Sequence, residues 1–139
     1  MTTKPSVLFI CVHNAGKSQT AEALMRHIAG DKVDIYSGGT GPDENLAGDA
    51  VVALAEIGIG VEGQFPKAID PEVLRKVDRV VILGDQAKVA PIDGMKAEIE
   101  TWLTVEPAEQ GIHGAERANL VRDDIYSRVK QLATELGVA

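Results

Sequence analysis

Near the start of the chain, an apolar run and a helix-like segment are separated by residues 11–18, whose sequence is CVHNAGKS. The apolar run at 7–10 predicts a buried strand, and the segment after the loop predicts a helix. Backbone N–H groups of such a loop converge at the positive end of the helix dipole, where they bind an oxyanion. Cys11, which is the only cysteine of the chain, lies at the exit of the strand. Because this field favours a thiolate over a thiol, the segment predicts a nucleophile inside a phosphate-sized nest.

The other residues of this loop suit an anion nest better than a buried core, which is the ordinary place for a free cysteine. Gly16 permits a turn that other residues resist, and Asn14 tolerates a left-handed backbone while bonding its neighbours. Lys17 supplies positive charge, and Ser18 either hydrogen-bonds the thiolate or caps the helix. We expect Cys11, Lys17 and Ser18 to be catalytic. The residues expected to bind the oxyanion are Val12, His13, Asn14, Ala15, Gly16 and Lys17.

Strand-like and helix-like patterns alternate along the whole chain. Strands are predicted at 7–11, 33–37, 79–83 and 99–103, and helices at 18–29, 46–57, 71–76 and 115–136. This alternation predicts parallel βαβ units in a doubly wound, four-stranded α/β sheet, within one domain that spans residues 1–139. Ligands of such sheets bind beyond the carboxyl ends of the strands, where both Cys11 and the Gly84-Asp85 turn are expected to lie.

Several side chains are assigned from their position in these elements. Arg122 and Arg128 are predicted to form ion pairs on a helix surface, where such pairs have little energetic weight. Asp70, which precedes a proline, is predicted to cap the helix at 71–76. Residues 84–96 predict a surface loop because of their proline and glycine content. The inner face of the last helix is predicted to consist of Leu120, Ile125, Val129, Leu132 and Leu136.

Composition argues against several kinds of partner and site. The 139 residues carry a formal net charge of −7, which argues against nucleic acid as a main partner. No apolar segment is long enough to span a membrane, and the start of the chain lacks a signal-peptide core. A single cysteine fits a reducing compartment, so we expect a cytoplasmic protein. No metal site is expected, because the three histidines, His13, His27 and His113, do not follow a metal-ligand spacing.

The residues Gly16-Lys17-Ser18 also end a nucleotide-binding P-loop, G-x-x-x-x-G-K-[ST]. The apolar run at 80–83, followed by Gly84 and Asp85, resembles the strand whose terminal aspartate helps to hold magnesium. The first glycine of the motif, however, would fall at Cys11. Nucleotide binding is therefore kept as the weaker alternative.

Several stretches, in order along the chain, resemble the low-molecular-weight tyrosine phosphatase superfamily. The loop at 11–18 looks like its C-x5-R-[ST] signature, with Asn14 at the position where that family keeps an asparagine. The segment SGGT at 37–40 resembles the family's S-A-G-T, and Trp102 with the later Glu-Pro pair resembles its W…D-P loop. The helix segment at 121–129 looks most like the arsenate reductase branch. The resemblance covers almost the whole chain and implies the phosphatase-like fold.

Two residues depart from the family pattern. Lys17 replaces the loop arginine, so a compact point charge replaces a planar fork that grips two oxygens. Glu106 replaces the general-acid aspartate, and its carboxylate therefore lies on a longer arm. The resemblance implies that Cys11 is the nucleophile, that Glu106 is the general acid and that Ser37 supports the loop through Asn14.

The residues that follow the acid loop indicate which substrate the site accepts. Phosphatases of this family place aromatic residues there to grip a phosphotyrosine ring, whereas this chain has AEQGI at 108–112 and only 4% aromatic residues overall. A small inorganic oxyanion, arsenate, therefore fits better. Low-molecular-weight tyrosine phosphatase activity and a weakly active oxyanion-binding relative are kept as alternatives.

The number of cysteines indicates where the reducing thiol comes from. Thioredoxin-coupled arsenate reductases of this fold use two further cysteines as a disulfide relay, and one of them follows the third strand, where this chain has Leu83-Gly84-Asp85. The resemblance to the single-cysteine branch implies that arsenate passes from Cys11 to mycothiol, or to another small thiol, as co-substrate. It also implies that a mycoredoxin-like reductase then releases arsenite, with no bound cofactor.

Overall fold

Four parallel strands form the central sheet, in the order β2-β1-β3-β4. The computed structural model describes residues 4–139, so the first three residues of the predicted domain lie outside the described residues. The strands are β1 Ser6–Cys11, β2 Asp34–Gly39, β3 Arg79–Leu83 and β4 Ile99–Trp102. The predicted four-stranded parallel sheet is confirmed.

Among the described residues, four α-helices flank this sheet. They are α1 Lys17–Ala29, α2 Gly48–Glu56, α3 Pro71–Lys76 and α4 Gly114–Glu135. Two short 3₁₀ turns lie at Gly30–Lys32 and Pro107–Gln110. The predicted bounds of strands and helices agree with the observed ones to within two residues.

Two local predictions also hold. Asp70 caps α3, because its carboxylate accepts a hydrogen bond from the N–H of Glu72. Residues 84–96 form no helix or strand. None of the described helices combines the length and the apolar character needed to cross a bilayer.

The residues of β1 alternate between two apolar layers. Val7 and Phe9 face the layer that contains α1 and α4, whereas Leu8 and Ile10 face the layer that contains α3. Successive strand residues point to opposite faces, so a continuous apolar run marks a strand covered on both sides. All four side chains are at most 1% exposed. The prediction of a buried strand is confirmed.

The strand order fixes the position of the functional loop. The chain leaves β1, forms β2 on one side of it, and then crosses to form β3 on the other side. The connections that follow β1 and β3 therefore diverge at the carboxyl edge of the sheet and leave a crevice between them. Cys11 and Leu83 end these two strands, so the loop at 12–17 and Gly84 meet at this crevice.

The prediction that Leu120 belongs to the buried face of α4 is wrong. Leu120 is 40% exposed, whereas Ile125, Val129 and Leu132 are buried as predicted. The buried stripe begins instead at Ala118 and continues through Val121, which lies four residues before Ile125 and therefore on the same side of the helix. Leu120 is rotated from that stripe by about 100°, because a helix has about 3.6 residues per turn.

The prediction that Arg122 forms only a surface ion pair is also wrong. Its side chain is 10% exposed and pairs with Asp123 at 2.8 Å. Its guanidinium also donates to the carbonyl of Ala53 in α2 at 2.8 Å, so it joins α4 to α2. Arg128 does form the predicted ion pair on the helix surface, with Asp124 four residues earlier.

Candidate active site

The sulfur of Cys11 lies at the bottom of the loop at 12–17. Cys11 is 8% exposed, and its Sγ is 2.9 Å from Oγ of the buried Ser18. Asn14 Nδ2 donates a hydrogen bond to the same Oγ at 2.7 Å. Because Ser18 accepts from Asn14, its own proton is free to be donated to the sulfur. This donor order suits a sulfur anion, which can only accept hydrogen bonds.

Ser18 does not cap the helix. The N-cap of α1 is Gly16, and no side-chain cap hydrogen bond is present there. The sequence leaves two roles open for Ser18, a bond to the sulfur and a helix cap. In the structure its hydroxyl contacts the sulfur of Cys11.

The segment at 40–47 holds the loop from outside. The loop carbonyls of Cys11, Val12, His13 and Ala15 accept hydrogen bonds from the N–H groups of Thr40, Gly41, Asp43 and Ala47, at 2.8–3.3 Å. Within residues 4–139, the N–H groups of residues 13–18 donate no hydrogen bond to another residue. A carbonyl and the N–H of the same trans peptide point in opposite directions. The outward carbonyls therefore turn the N–H groups of Val12, His13, Asn14 and Gly16 to the inner side of the loop, where they can form an anion-binding concavity.

Asn14 gives the loop its shape. It is fully buried and has a left-handed backbone, with φ of +48°, which Asn tolerates better than most residues. Its Oδ1 accepts hydrogen bonds from Gln19 Nε2 at 3.0 Å and from the N–H of Lys67 at 2.9 Å. Gly39 allows this close packing, because a Cβ there would lie 2.5 Å from the carbonyl oxygen of Val12.

The prediction that Ser37 supports the loop through Asn14 is wrong. Ser37 pairs with Phe9 in the sheet, so its side chain faces the α1 layer rather than the loop. Its hydroxyl donates to Glu22 at 2.6 Å and accepts from Lys67 Nζ at 3.3 Å. The support of Asn14 comes instead from Gln19 and from the backbone of Lys67.

A cluster of charged side chains, Glu22, Arg26 and Lys67, lies beside the loop on the α1 side. The carboxylate of Glu22 is only 7% exposed and pairs with Arg26 at 2.9 Å. Burial lowers the pKa of the Lys67 ammonium, while the nearby Glu22 carboxylate partly raises it again and Arg26 lowers it. The sequence pattern does not reveal this group. Its one signal is a glutamate on a helix face that is otherwise buried.

Lys17 and Glu106 meet across the mouth of the site, although 89 positions separate them. Lys17 Nζ donates to Glu106 Oε1 at 2.7 Å. Their side chains are 23% and 39% exposed. Gly84 lies beside them with φ of +89°, and a Cβ there would meet Lys17 Nζ at 3.3 Å. The predicted acid and the predicted loop cation are therefore brought together, and Gly84 leaves room for them.

The remaining predicted loop residues lie around the opening of a cleft. His13 is on the rim, with a side chain 65% exposed and Nδ1 3.3 Å from Asp43. The cleft has a volume of about 860 Å³ and extends from Cys11 past Ala15 and Gly16 to Arg117 and Arg122 between α2 and α4. No Phe, Tyr or Trp side chain is among the described residues that line it. Within the same part of the chain, no group of three or more His, Cys, Asp or Glu side chains is arranged to hold a metal.

Curated relatives of similar length are arsenate reductases. The arsenate reductase of Bacillus subtilis is 34% identical over 131 residues, which cover 91% of this chain and 94% of that protein. The arsenate reductase of Halalkalibacterium halodurans is 35% identical over 134 residues, which cover 94% and 96%.

Solved structures share the fold. An arsenate reductase in the phosphate binding state superposes with a TM-score of 0.80 at 25% identity, covering 95% of this chain and 98% of that chain. A thioredoxin-dependent arsenate reductase of Corynebacterium glutamicum superposes with a TM-score of 0.76 at 30% identity. That match covers 96% of this chain but only 62% of the other.

The family resemblance seen in the sequence also has direct support. Residues 6–138 match the family described as low molecular weight phosphotyrosine protein phosphatase. The match includes every strand and helix described above, together with the loop that surrounds Cys11. The chain belongs to the low molecular weight phosphotyrosine protein phosphatase family.

Proposed function

We propose that this protein is an arsenate reductase in which Cys11 is the nucleophile and an outside thiol, mycothiol, receives the arsenic. The observation that carries the proposal is the position of the sulfur, 2.9 Å from the Ser18 hydroxyl and at the base of a loop whose carbonyls are bonded outward. The arsenate reductases among its relatives cover nearly the whole chain and support this choice of substrate.

In the first step, the loop amides and Lys17 hold arsenate in front of Cys11. The thiolate forms a sulfur–arsenic bond, and one arsenate oxygen leaves as water after it accepts a proton. Glu106 is the general acid of this proposal, because its carboxyl group reaches the mouth of the loop beside Lys17. Ser18 stabilises the sulfur by donating its hydroxyl proton to it.

In the second step, the outside thiol attacks the arsenic. A new sulfur–arsenic bond forms, the bond to Cys11 breaks, and arsenic stays in its oxidised state. Reduction follows when a mycoredoxin-like thiol attacks the sulfur of this adduct. A disulfide then forms between the two thiols, and the electron pair of the sulfur–arsenic bond passes to arsenic, which leaves as arsenite.

The need for an outside thiol is supported by the cysteine count. The chain contains one cysteine, so it has no partner for an internal disulfide relay. By resemblance, thioredoxin-coupled members carry a relay cysteine after the third strand. This chain has Leu83-Gly84-Asp85 there, and none of the three is a cysteine.

Phosphotyrosine is a weaker candidate substrate because the described lining of the cleft contains no Phe, Tyr or Trp. Membership of the phosphatase family, whose C-x5-R-[ST] signature the loop at 11–18 resembles, also favours cysteine chemistry over nucleotide binding at Gly16-Lys17-Ser18. The alternative that the protein is a weakly active oxyanion-binding relative is distinguished from an arsenate reductase by an activity assay.

The proposal is tested by arsenite release from arsenate in the presence of mycothiol and mycoredoxin. We expect turnover by the wild-type protein and none by Cys11→Ser, with an aryl phosphate assayed in parallel as the competing substrate. Omission of mycothiol is expected to stop turnover. Equal rates for the wild-type protein and the Cys11→Ser variant would remove the nucleophile from the scheme.

A further inference from the structure

The ion pair between Lys17 and Glu106 conflicts with the roles that the proposed function gives to both residues. Lys17 Nζ donates to Glu106 Oε1 at 2.7 Å, and the two side chains are 23% and 39% exposed. A carboxyl group that pairs with an ammonium in this way is ionised, and an ionised carboxylate has no proton to donate. The same contact neutralises the charge of the lysine. In the free protein, therefore, neither the cation nor the acid is ready to act on an oxyanion.

The lysine makes this conflict sharper than an arginine would. A guanidinium has five N–H donors in a planar fork and holds two anions on different edges, whereas an ammonium is a compact point charge. Among residues 4–139, Lys17 has one ion-pair partner, Glu106. An oxyanion that binds Lys17 therefore competes with Glu106 for a single charge.

The two arginines of the cleft do not replace Lys17. Arg117 of α4 lies 4.0 Å from Asp49 of α2, and Arg122 pairs with Asp123 at 2.8 Å. The fixed positive potential at the cysteine loop therefore comes from the loop amides and from Lys17. A dianion that enters beside an ionised carboxylate meets a like charge, which favours the protonated form of that carboxylate.

We propose that the Lys17–Glu106 pair holds the oxyanion site of the free protein in a charge-neutral, inhibited state that a bound oxyanion releases. The oxyanion takes Lys17 from Glu106, and Glu106 takes up one proton from solvent. That proton is the one that Glu106 then gives to the leaving oxygen. This inference rests on the proposed function for the site and for Glu106, and it adds that the substrate itself protonates the acid.

The competition is tested with sulfate, a tetrahedral dianion that neither reacts nor titrates near neutral pH. Glu106→Gln removes the competing carboxylate, so it should bind sulfate about fivefold more tightly than the wild-type protein, as one partly exposed ion pair predicts. Its arsenate turnover should fall, so that affinity and kcat change in opposite directions.

Glu109→Gln is the matched control for this affinity measurement. Glu109 lines the same cleft and is exposed, but it does not pair with Lys17. Its substitution removes the same charge and should change the sulfate affinity by less than about twofold. Equal affinities of the Glu106→Gln and Glu109→Gln variants would overturn the inference.

A double-mutant cycle separates competition for Lys17 from simple repulsion by Glu106. Lys17 is engaged in the wild-type background, so Lys17→Met should weaken sulfate binding there by only about twofold. In the Glu106→Gln background Lys17 is available, and the same substitution should weaken binding about tenfold. Repulsion alone predicts one factor in both backgrounds, so equal factors would contradict the competition.

Proton uptake is measured by calorimetric titration with sulfate in buffers of different ionisation enthalpy, at a pH of about 5.5, where exposed glutamates are ionised. The wild-type protein should take up at least about half a proton more per sulfate than the Glu106→Gln variant, and its affinity should fall as the pH rises. No difference in uptake would overturn the inference.

Other titratable groups face the pair from the elements around it, and both proteins of this comparison contain them. His13 of the loop pairs with Asp43 at 3.3 Å. The remaining acidic groups are Cys11, Asp49, Asp85 and Glu109. A proton taken up by any of these groups appears in both titrations, so the difference isolates Glu106.

This inference and the proposed function fail in different ways. If arsenate is reduced with the outside thiol but the wild-type protein shows no excess proton uptake, only the inference fails. If the excess uptake and the tighter binding by Glu106→Gln are present without arsenate turnover, the inference holds for the oxyanion site and the proposed reaction fails. If neither protein binds sulfate, both fail.

Discussion

Asn14 is the residue on which the shape of the anion loop depends most. It has a left-handed backbone and connects Ser18, Gln19 and the backbone of Lys67 through its side chain. Each of these groups is buried or half-buried, so the loss of one of these hydrogen bonds strongly lowers the free energy of unfolding. The same asparagine also determines which proton Ser18 presents to Cys11.

Replacement of Asn14 by alanine is expected to lower the free energy of unfolding by about 2–3 kcal/mol, because several partners are left unpaired and the left-handed backbone is less tolerated. Urea denaturation measures this change. Asn45→Ala is the matched control, since Asn45 is exposed and surface changes usually stay within about 0.5 kcal/mol. Equal effects of the two substitutions would contradict the central role of Asn14.

At the scale of the elements, the cleft depends on how α4 and α2 are joined. Arg122 crosses between them and binds the carbonyl of Ala53, while apolar residues of both helices share one core. The same arginine lines the cleft. The helix pair therefore supports both stability and the space in front of Cys11.

Arg122→Ala is expected to destabilise the protein by about 2–4 kcal/mol, because it removes a buried charged donor and leaves a buried carbonyl unpaired. Arg128→Ala on the same helix is the comparison and should cost less, about 1 kcal/mol, because Arg128 is 34% exposed and its bonds to Asp124 and to the carbonyl of Leu103 lie closer to solvent. Chemical denaturation of both variants gives the comparison. A larger loss for Arg128→Ala would contradict the assigned burial of Arg122.

The start of β1 is joined to the start of β3 by Asp78. Its Oδ2 accepts hydrogen bonds from the N–H of Ser6 at 2.9 Å and from the Ser6 hydroxyl at 3.2 Å. A hydrogen bond from Lys96 holds the pKa of Asp78 below its usual range; burial opposes this effect, and the Ser6 hydrogen bonds add to it. Because the folded pKa is lowered, this contribution to stability is present above the ordinary aspartate pKa of about 3.9. It is lost as the pH falls through the folded value.

Asp78→Asn is therefore expected to lower the free energy of unfolding by about 1–2 kcal/mol at neutral pH. The difference from the wild-type protein should shrink as the pH falls below 4, since Asp78 becomes protonated there. Denaturation curves recorded across this pH range provide the measurement. A difference that grows toward acid would contradict the assigned sign.

At the scale of the whole molecule, local patterns predict the sheet but not the long-range contacts of the site. The apolar run of β1 and the loop that follows it suffice to predict a strand, an anion nest and the place of Cys11. The roles of Ser37, Glu22 and Arg122 depend on strand register and helix rotation, which a linear pattern does not contain.

The central claim is that Cys11 is a nucleophile within a site that binds a tetrahedral oxyanion. The most direct measurement is the rate of Cys11 alkylation by iodoacetamide near neutral pH, with and without arsenate. The chain contains no other cysteine, so the signal is unambiguous. We predict fast alkylation that arsenate slows in a saturable manner. A slow reaction that arsenate leaves unchanged would contradict the claim.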